Sequence, residues 1–133
     1  MTTRNGSAPR LLSRDDILAA PDIVRETVEV PEWGGSVIVQ GMDVARRVVY
    51  SEYMFSADGE RKRPSLMGDP ALVALCVIDE AGVPLFTLSQ IEELAQKSPI
   101  AVRRVAEVAV RLSYPESAPK AQSGVSPSDS PVT

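Results

Sequence analysis

The chain has 133 residues, room for one modest domain and not two. Its formal net charge is -4, which argues against nucleic-acid or anionic-membrane binding, since both are driven by clustered Lys and Arg. There is no histidine and a single cysteine, Cys76, so the commonest general base, the commonest zinc ligand and any internal disulfide are all missing.

Hydrophobic residues make up 44% of the chain and charged ones 24%, as in ordinary soluble globular proteins, but aromatics are only 5%, so the core must be mainly aliphatic. No apolar run approaches the roughly 18 residues needed to span a bilayer. The N-terminus carries Arg4 and Arg10 but no apolar stretch of a secretory signal, and the expected location is the cytoplasm. Residues 1–10 are small and polar and read as a flexible arm. Residues 115–133 are rich in Pro, Ser and Ala without periodicity and read as a disordered tail. A single domain over residues 11–114 remains between them.

In chain order, LLSRDDILAA predicts a helix of two turns at most, capped by Ser13 with Asp15 and Asp16 in the positive first turn and ended by Pro21. RETVEVPEWGGSVIVQ then switches to period two: Val28 and Val30 alternate with Thr27 and Glu29, and Val37 and Val39 with Ser36, Ile38 and Gln40, around a Gly34-Gly35 centre. That is a β-hairpin with a loop longer than two residues, Pro31 standing at a strand end. Asp43 caps the next helix, VARRVVYSEYMF, with Val44, Val48 and Phe55 on one side and Ala45, Val49 and Tyr53 beside them.

SADGERKRPSLMG is a polar link. Asp69 and Pro70 open PALVALCVIDE, a helix apolar on nearly every side, which demands burial on several faces by its own domain or by a partner. Ala81-Gly82 makes a turn into an extended piece, residues 83–86. Ser89 and Glu92 have the spacing of a capping box at the start of LSQIEELAQK. Ser98-Pro99 starts the last helix, in which Ala101, Val105, Val108 and Leu112 form one stripe, widened by Val102 and Ala109. The fold class is α+β: a small, mainly helical domain with one N-terminal β-hairpin and about four helices. An all-α domain with an irregular hairpin arm is the alternative.

No constellation of residues points to catalysis. Asp15-Asp16, Asp79-Glu80 and Glu92-Glu93 are adjacent acids, and neighbours on a helix point about 100° apart instead of converging. No glycine-rich phosphate loop, EF-hand pattern or metal-ligand spacing occurs, so neither a catalytic, a cofactor-binding nor a metal-binding residue is assigned. Cys76 lies in an apolar run and reads as an inert buried thiol. The basic cluster GERKR, residues 59–63, is a solvated or partly mobile loop or a contact for an acidic partner. Trp33, the single tryptophan, has two readings: packed over the hairpin with its indole N–H on a carbonyl, or an anchor for a partner on an exposed turn.

The order of these pieces resembles the tail assembly chaperones of long-tailed bacteriophages and prophages. The likeness rests on the VPEWGG turn (residues 30–35), LCVIDEAG (residues 75–82), LFT (residues 85–87) and IEELAQKS (residues 91–98), and it spans roughly residues 11–113. Two departures stand out. The helix after the hairpin opens with Asp43-Val44-Ala45-Arg46 in place of the Thr-Gly-x-Glu-like start usual in that family, and the GERKR link has no counterpart.

The resemblance implies a non-enzymatic role. Such proteins coat the tape-measure protein, keep it soluble, help recruit tail-tube subunits and leave before the tail is finished. Many are made in two forms by a programmed frameshift, the longer form contacting the tail-tube protein; this chain would be the short form. The implied setting is the cytoplasm of the infected bacterial host, with the protein absent from the mature virion. A helical tape-measure chain exposes apolar stripes, which aliphatic helices of a small domain can cover. The candidate contacts are Trp33, Leu72 and Leu75, and Val105, Val108 and Leu112. Self-association through the apolar helix at residues 71–78 is a further expectation. The competing readings are a small virion or head-tail structural protein and a bacterial regulatory interaction module.

Overall fold

The computed structural model describes residues 9–115. The expected arm lies outside the described residues over residues 1–8, and so does the expected tail over residues 116–133. The described elements are α1 (Arg14–Ala19), β1 (Arg25–Val30), β2 (Gly35–Gln40), α2 (Val44–Met54), α3 (Gly68–Cys76), β3 (Val77–Ile78), α4 (Ile91–Leu94) and α5 (Pro99–Ser113). The class is α+β, as the sequence indicates.

The hairpin forms where the period-two pattern places it. β1 and β2 run antiparallel, with Val28 opposite Val37 and Val30 opposite Gly35. A single 3-10 turn, Pro31–Trp33, closes it, and Gly34 ends that turn at φ 76, a left-handed conformation that glycine adopts without steric cost. The core face carries Val28, Val30 and Val39, all buried.

The hairpin is not alone. The expected helix over residues 71–78 stops at Cys76, and Val77 and Ile78 leave it to pair with Val39 and Ile38 as a third strand. The sheet order is β1-β2-β3. The two β-branched residues fit a pleated surface, and β2 lies alongside to pair with them. A tight turn follows directly. The Asp79 carboxylate accepts from the amides of Ala81 and Val83, both at 2.9 Å, and Gly82 sits at φ 90. The chain then doubles back, Leu85 N–H donating to the Val77 carbonyl at 3.1 Å.

α3 is the centre of the domain. Every residue from Pro70 to Cys76 is buried, with α5, α4, α2 and the sheet packed round it. The all-round apolar helix is therefore satisfied by its own domain. It has no side-chain cap: Asp69 lies in the first turn, and its carboxylate instead accepts from Arg103 of α5 at 2.9 Å. α5 presents Ala101, Val102, Val105, Ala106 and Ala109 to the core. Three alanines on that face let α3 and the sheet approach closely.

Caps at Ser13, Asp43 and Ser98 stand where the sequence puts them, each accepting from an amide three residues on. The cap before α4 is Thr87 and not Ser89; its capping box closes on Gln90, and a 3-10 turn (Leu88–Gln90) leads into the helix. In α2 the inward side is Val49, Tyr50, Tyr53 and Met54, while Val44 and Val48 are exposed, because the C-terminal half of α2 is the part that packs on the domain. The GERKR segment folds back against the end of α2. Lys62 N–H donates to the Met54 carbonyl at 2.7 Å, and the Arg63 guanidinium lies 3.9 Å over the Tyr53 ring while donating to the Tyr53 carbonyl.

Candidate functional site

Among the described residues, Cys76 and Ser113 bring two reactive groups together inside the core. The Ser113 hydroxyl accepts from the Met42 amide at 2.8 Å and lies 3.9 Å from the Cys76 sulfur. Burial pushes the Cys76 thiol up to about 11, so at neutral pH it is protonated and non-nucleophilic. Ser113 thus ties the segment after β2 to the end of α5 and activates nothing. Among the described residues no group of His, Cys, Asp or Glu is placed to hold a metal ion.

The surface offers more. Three arginines of α5 reach across to other elements. Arg103 holds Asp69 of α3, Arg104 grips both carboxylate oxygens of Glu32, and Arg111 holds Glu26 of β1 at 2.9 Å. The guanidinium hydrogen bonds keep the Glu32 and Glu26 carboxyls below their ordinary value, with the Glu32 carboxyl also helped by its own backbone amide. Exposed pairs of this kind add little stability singly, but they set the position of the hairpin on α5. Glu32 immediately precedes Trp33, so the Arg104 clamp also fixes where the indole stands.

Trp33 is half-buried and packs against the core cluster. Its indole N–H makes no hydrogen bond among the described residues, so the expected carbonyl contact does not form. Its other side lines a groove of about 430 Å³ together with Phe86, Leu94 and the charged Glu32, Glu93 and Lys97. A second recess of about 240 Å³ shares Leu94 and Lys97 and continues past Leu66, Met67, Pro70, Pro99 and Val102. The end of α4 lines both. Each is mainly apolar with charged residues at its rim, the kind of surface on which an amphipathic helix docks.

The six candidate contacts are placed very unevenly. Trp33 lines the groove. Leu72, Leu75 and Val105 are inside the core at 3%, 8% and 0% exposure, beyond the reach of a partner that docks on the folded domain. Val108 and Leu112 are half-buried against the core. The residues that complete the groove, Phe86, Leu94 and Lys97, carry no separate signal in the sequence; Phe86 stands in the LFT piece and Leu94 and Lys97 in the IEELAQKS piece, both already singled out.

A second apolar surface escapes sequence reading altogether. α1 buries no residue. Leu11, Leu12, Ile17 and Leu18 are exposed, and so are Ile23 and Val24 on the way to β1. Six large apolar side chains within fourteen residues, none of them buried, stand out as a candidate interaction surface, since singly exposed leucines are ordinary but such a run is not.

No protein-family model matches the chain, and no curated protein matches it. Among solved structures the chain is similar to the tail assembly chaperone of bacteriophage HK97. The TM-score is 0.51 at 24% identity, over 68% of this chain and 85% of that one. At that identity the likeness is one of fold.

Proposed function

We propose that this protein is a tail assembly chaperone of a long-tailed bacteriophage, a non-enzymatic protein that binds the tape-measure protein and keeps it soluble while the tail is built. The observation that carries the reading is the apolar groove at Trp33 and Phe86, together with a separate set of exposed apolar side chains over residues 11–24, on a fold similar to that of the HK97 chaperone. A long helical chain awaiting its tube exposes apolar stripes, and many copies of a small domain bound along it would each contribute weakly and gain by avidity. The net charge of -4 keeps the chaperone soluble while it exposes apolar surface of its own. On this reading the protein acts in the cytoplasm of the infected bacterium. It helps recruit tail-tube subunits, through a longer frameshifted form of the chain, and is absent from the finished particle.

Co-expression with the tape-measure protein encoded in the same tail cluster tests this. The tape-measure protein is expected to shift from the insoluble to the soluble fraction and to co-purify with the chain. An unchanged soluble yield with no co-purification overturns the reading.

A further inference from the structure

β1 is the outer strand of the sheet, paired with β2 on one side only. The ladder decides which of its main-chain groups point outward. Gly41 N–H donates to the Val24 carbonyl at 3.0 Å, so Val24 and Gly41 are a hydrogen-bonded pair. Antiparallel ladders alternate, which makes Glu26, Val28 and Val30 the next residues facing β2. Arg25, Thr27 and Glu29 therefore aim three N–H and three C=O groups away from the sheet. All three residues are exposed, and their main-chain groups have no hydrogen-bond partner among the described residues.

Charge on an edge strand ordinarily discourages pairing. Here the two charges on the exposed face have opposite sign and stand symmetrically about Thr27; the Arg25 guanidinium rests over β2, donating to Gln40 at 2.8 Å, and swings from there to meet a second copy. An antiparallel second copy centred on Thr27 sets each Arg25 against a Glu29 of the other copy. The neighbouring registers are worse: centring on Glu26 opposes two carboxylates, and centring on Val28 sets Arg25 against Pro31, which has no N–H to give.

The favoured register has a second consequence. Extended beyond the strand, it carries the exposed apolar run of one copy past the Pro31–Trp33 turn of the other, with Ile23 level with Pro31. The exposed apolar run and the Trp33 groove, which lie at opposite ends of β1 in one copy, are thus brought to the same end in a pair.

We propose that two copies of this chain pair through β1, antiparallel and centred on Thr27, into a two-fold dimer with one continuous six-stranded sheet. Each interface residue then meets its counterpart by symmetry, as an isologous contact requires. Edge-to-edge pairing supplies the main-chain hydrogen bonds, and the Arg25–Glu29 pairs supply the register.

Cross-linking the full chain reads the register directly. A hydrogen-bonded antiparallel pair holds its Cα atoms about 5.5 Å apart, within disulfide range. Thr27→Cys is expected to give a disulfide-linked dimer on mild oxidation, and Glu29→Cys, whose counterpart is Arg25, to give little. Light scattering over a concentration series adds the affinity. Arg25→Glu is expected to raise the dimer dissociation constant about tenfold, and the added Glu29→Arg to restore it. Circular dichroism checks that each variant is folded; Arg25→Glu gives up the side-chain bond to Gln40 but leaves the main-chain β1–β2 ladder intact. A wild-type chain that is monomeric at every concentration overturns the proposal. So does equal cross-linking at the two positions, a dimer indifferent to Arg25→Glu, or no restoration in the double variant. The measurement uses this protein alone, so its outcome is separate from that of the tape-measure experiment.

Discussion

Gly41→Ala tests whether the close seating of α5 on the sheet holds the domain together. Gly41 is buried just beyond the end of β2, and its φ lies outside the left-handed region, so an added methyl meets no backbone strain and the whole cost is steric. That methyl would stand 2.7 Å from the Leu112 carbonyl oxygen and 3.1 Å from its carbonyl carbon. Both atoms belong to the backbone of α5 and cannot rotate aside. Reaching ordinary contact requires β2 and α5 to part by about 0.7 Å. The next residues along are joined by the buried Met42 N–H to Ser113 hydroxyl bond, 2.8 Å long, which the same movement stretches to its limit. Overpacking costs about 1–3 kcal/mol and a weakened buried hydrogen bond about 1 kcal/mol more, so the expected loss is about 3 kcal/mol. In a domain of this size that lowers Tm by about 15 °C. Gly35→Ala is the matched control at the other end of β2, where an added methyl meets nothing within 4 Å and the change is expected within about 0.5 kcal/mol. Thermal and urea unfolding followed by circular dichroism compares the two. If Gly41→Ala unfolds within about 1 kcal/mol of Gly35→Ala, the seating of α5 on the sheet is not what the contact distances imply.

Two further outcomes follow from the surface. Glu26 and Glu32 are held below their ordinary value of 4.5 by Arg111 and Arg104, so folding favours their ionised forms. The stability they add is complete above about pH 4.5 and is lost as the pH falls through the depressed values. Tm is therefore expected to fall on acidification from about pH 6 to about pH 3, and to fall less in a variant carrying Arg104→Gln and Arg111→Gln; identical acid profiles would remove these pairs from the account. Before β1, Ile17→Ser with Leu18→Ser changes side chains that are 57% and 76% exposed, on a helix that buries no residue. Stability is expected to hold within about 0.5 kcal/mol, while the soluble yield of a co-expressed tape-measure protein falls. An unaltered yield would take these residues out of the binding surface.

The elements that sequence reading places correctly are those specified within a few residues. Ser13, Asp43 and Ser98 cap their helices because a side-chain oxygen needs only the amide three residues on. The hairpin is legible because alternation states which face of each strand is apolar, and Gly34 supplies the left-handed residue that closes the turn. The third strand is not legible. Val77 and Ile78 continue the apolar run of α3, and a buried helix and a buried strand give the same hydrophobic signal over so short a stretch. The choice is made by Val39 and Ile38, which are brought alongside only when the hairpin is already folded against α3.

The candidate site divides in the same way. The sequence by itself determined that the chain is acidic, with an aliphatic core, a hairpin and capped helices, and that Trp33 sits on a turn where an anchor can stand. It also marked α3 and α5 as the apolar helices, since composition and period are local properties. Only the tertiary structure decided that Leu72, Leu75 and Val105 are enclosed, that Phe86, Leu94 and Lys97 complete a groove with Trp33, and that the apolar side chains of α1 are left uncovered. An apolar periodicity states that a face will be covered and not by what. The covering residues stand tens of positions away along the chain, as Arg104 does from Glu32 at a separation of 72, and their meeting is a property of packing that no window of the sequence contains.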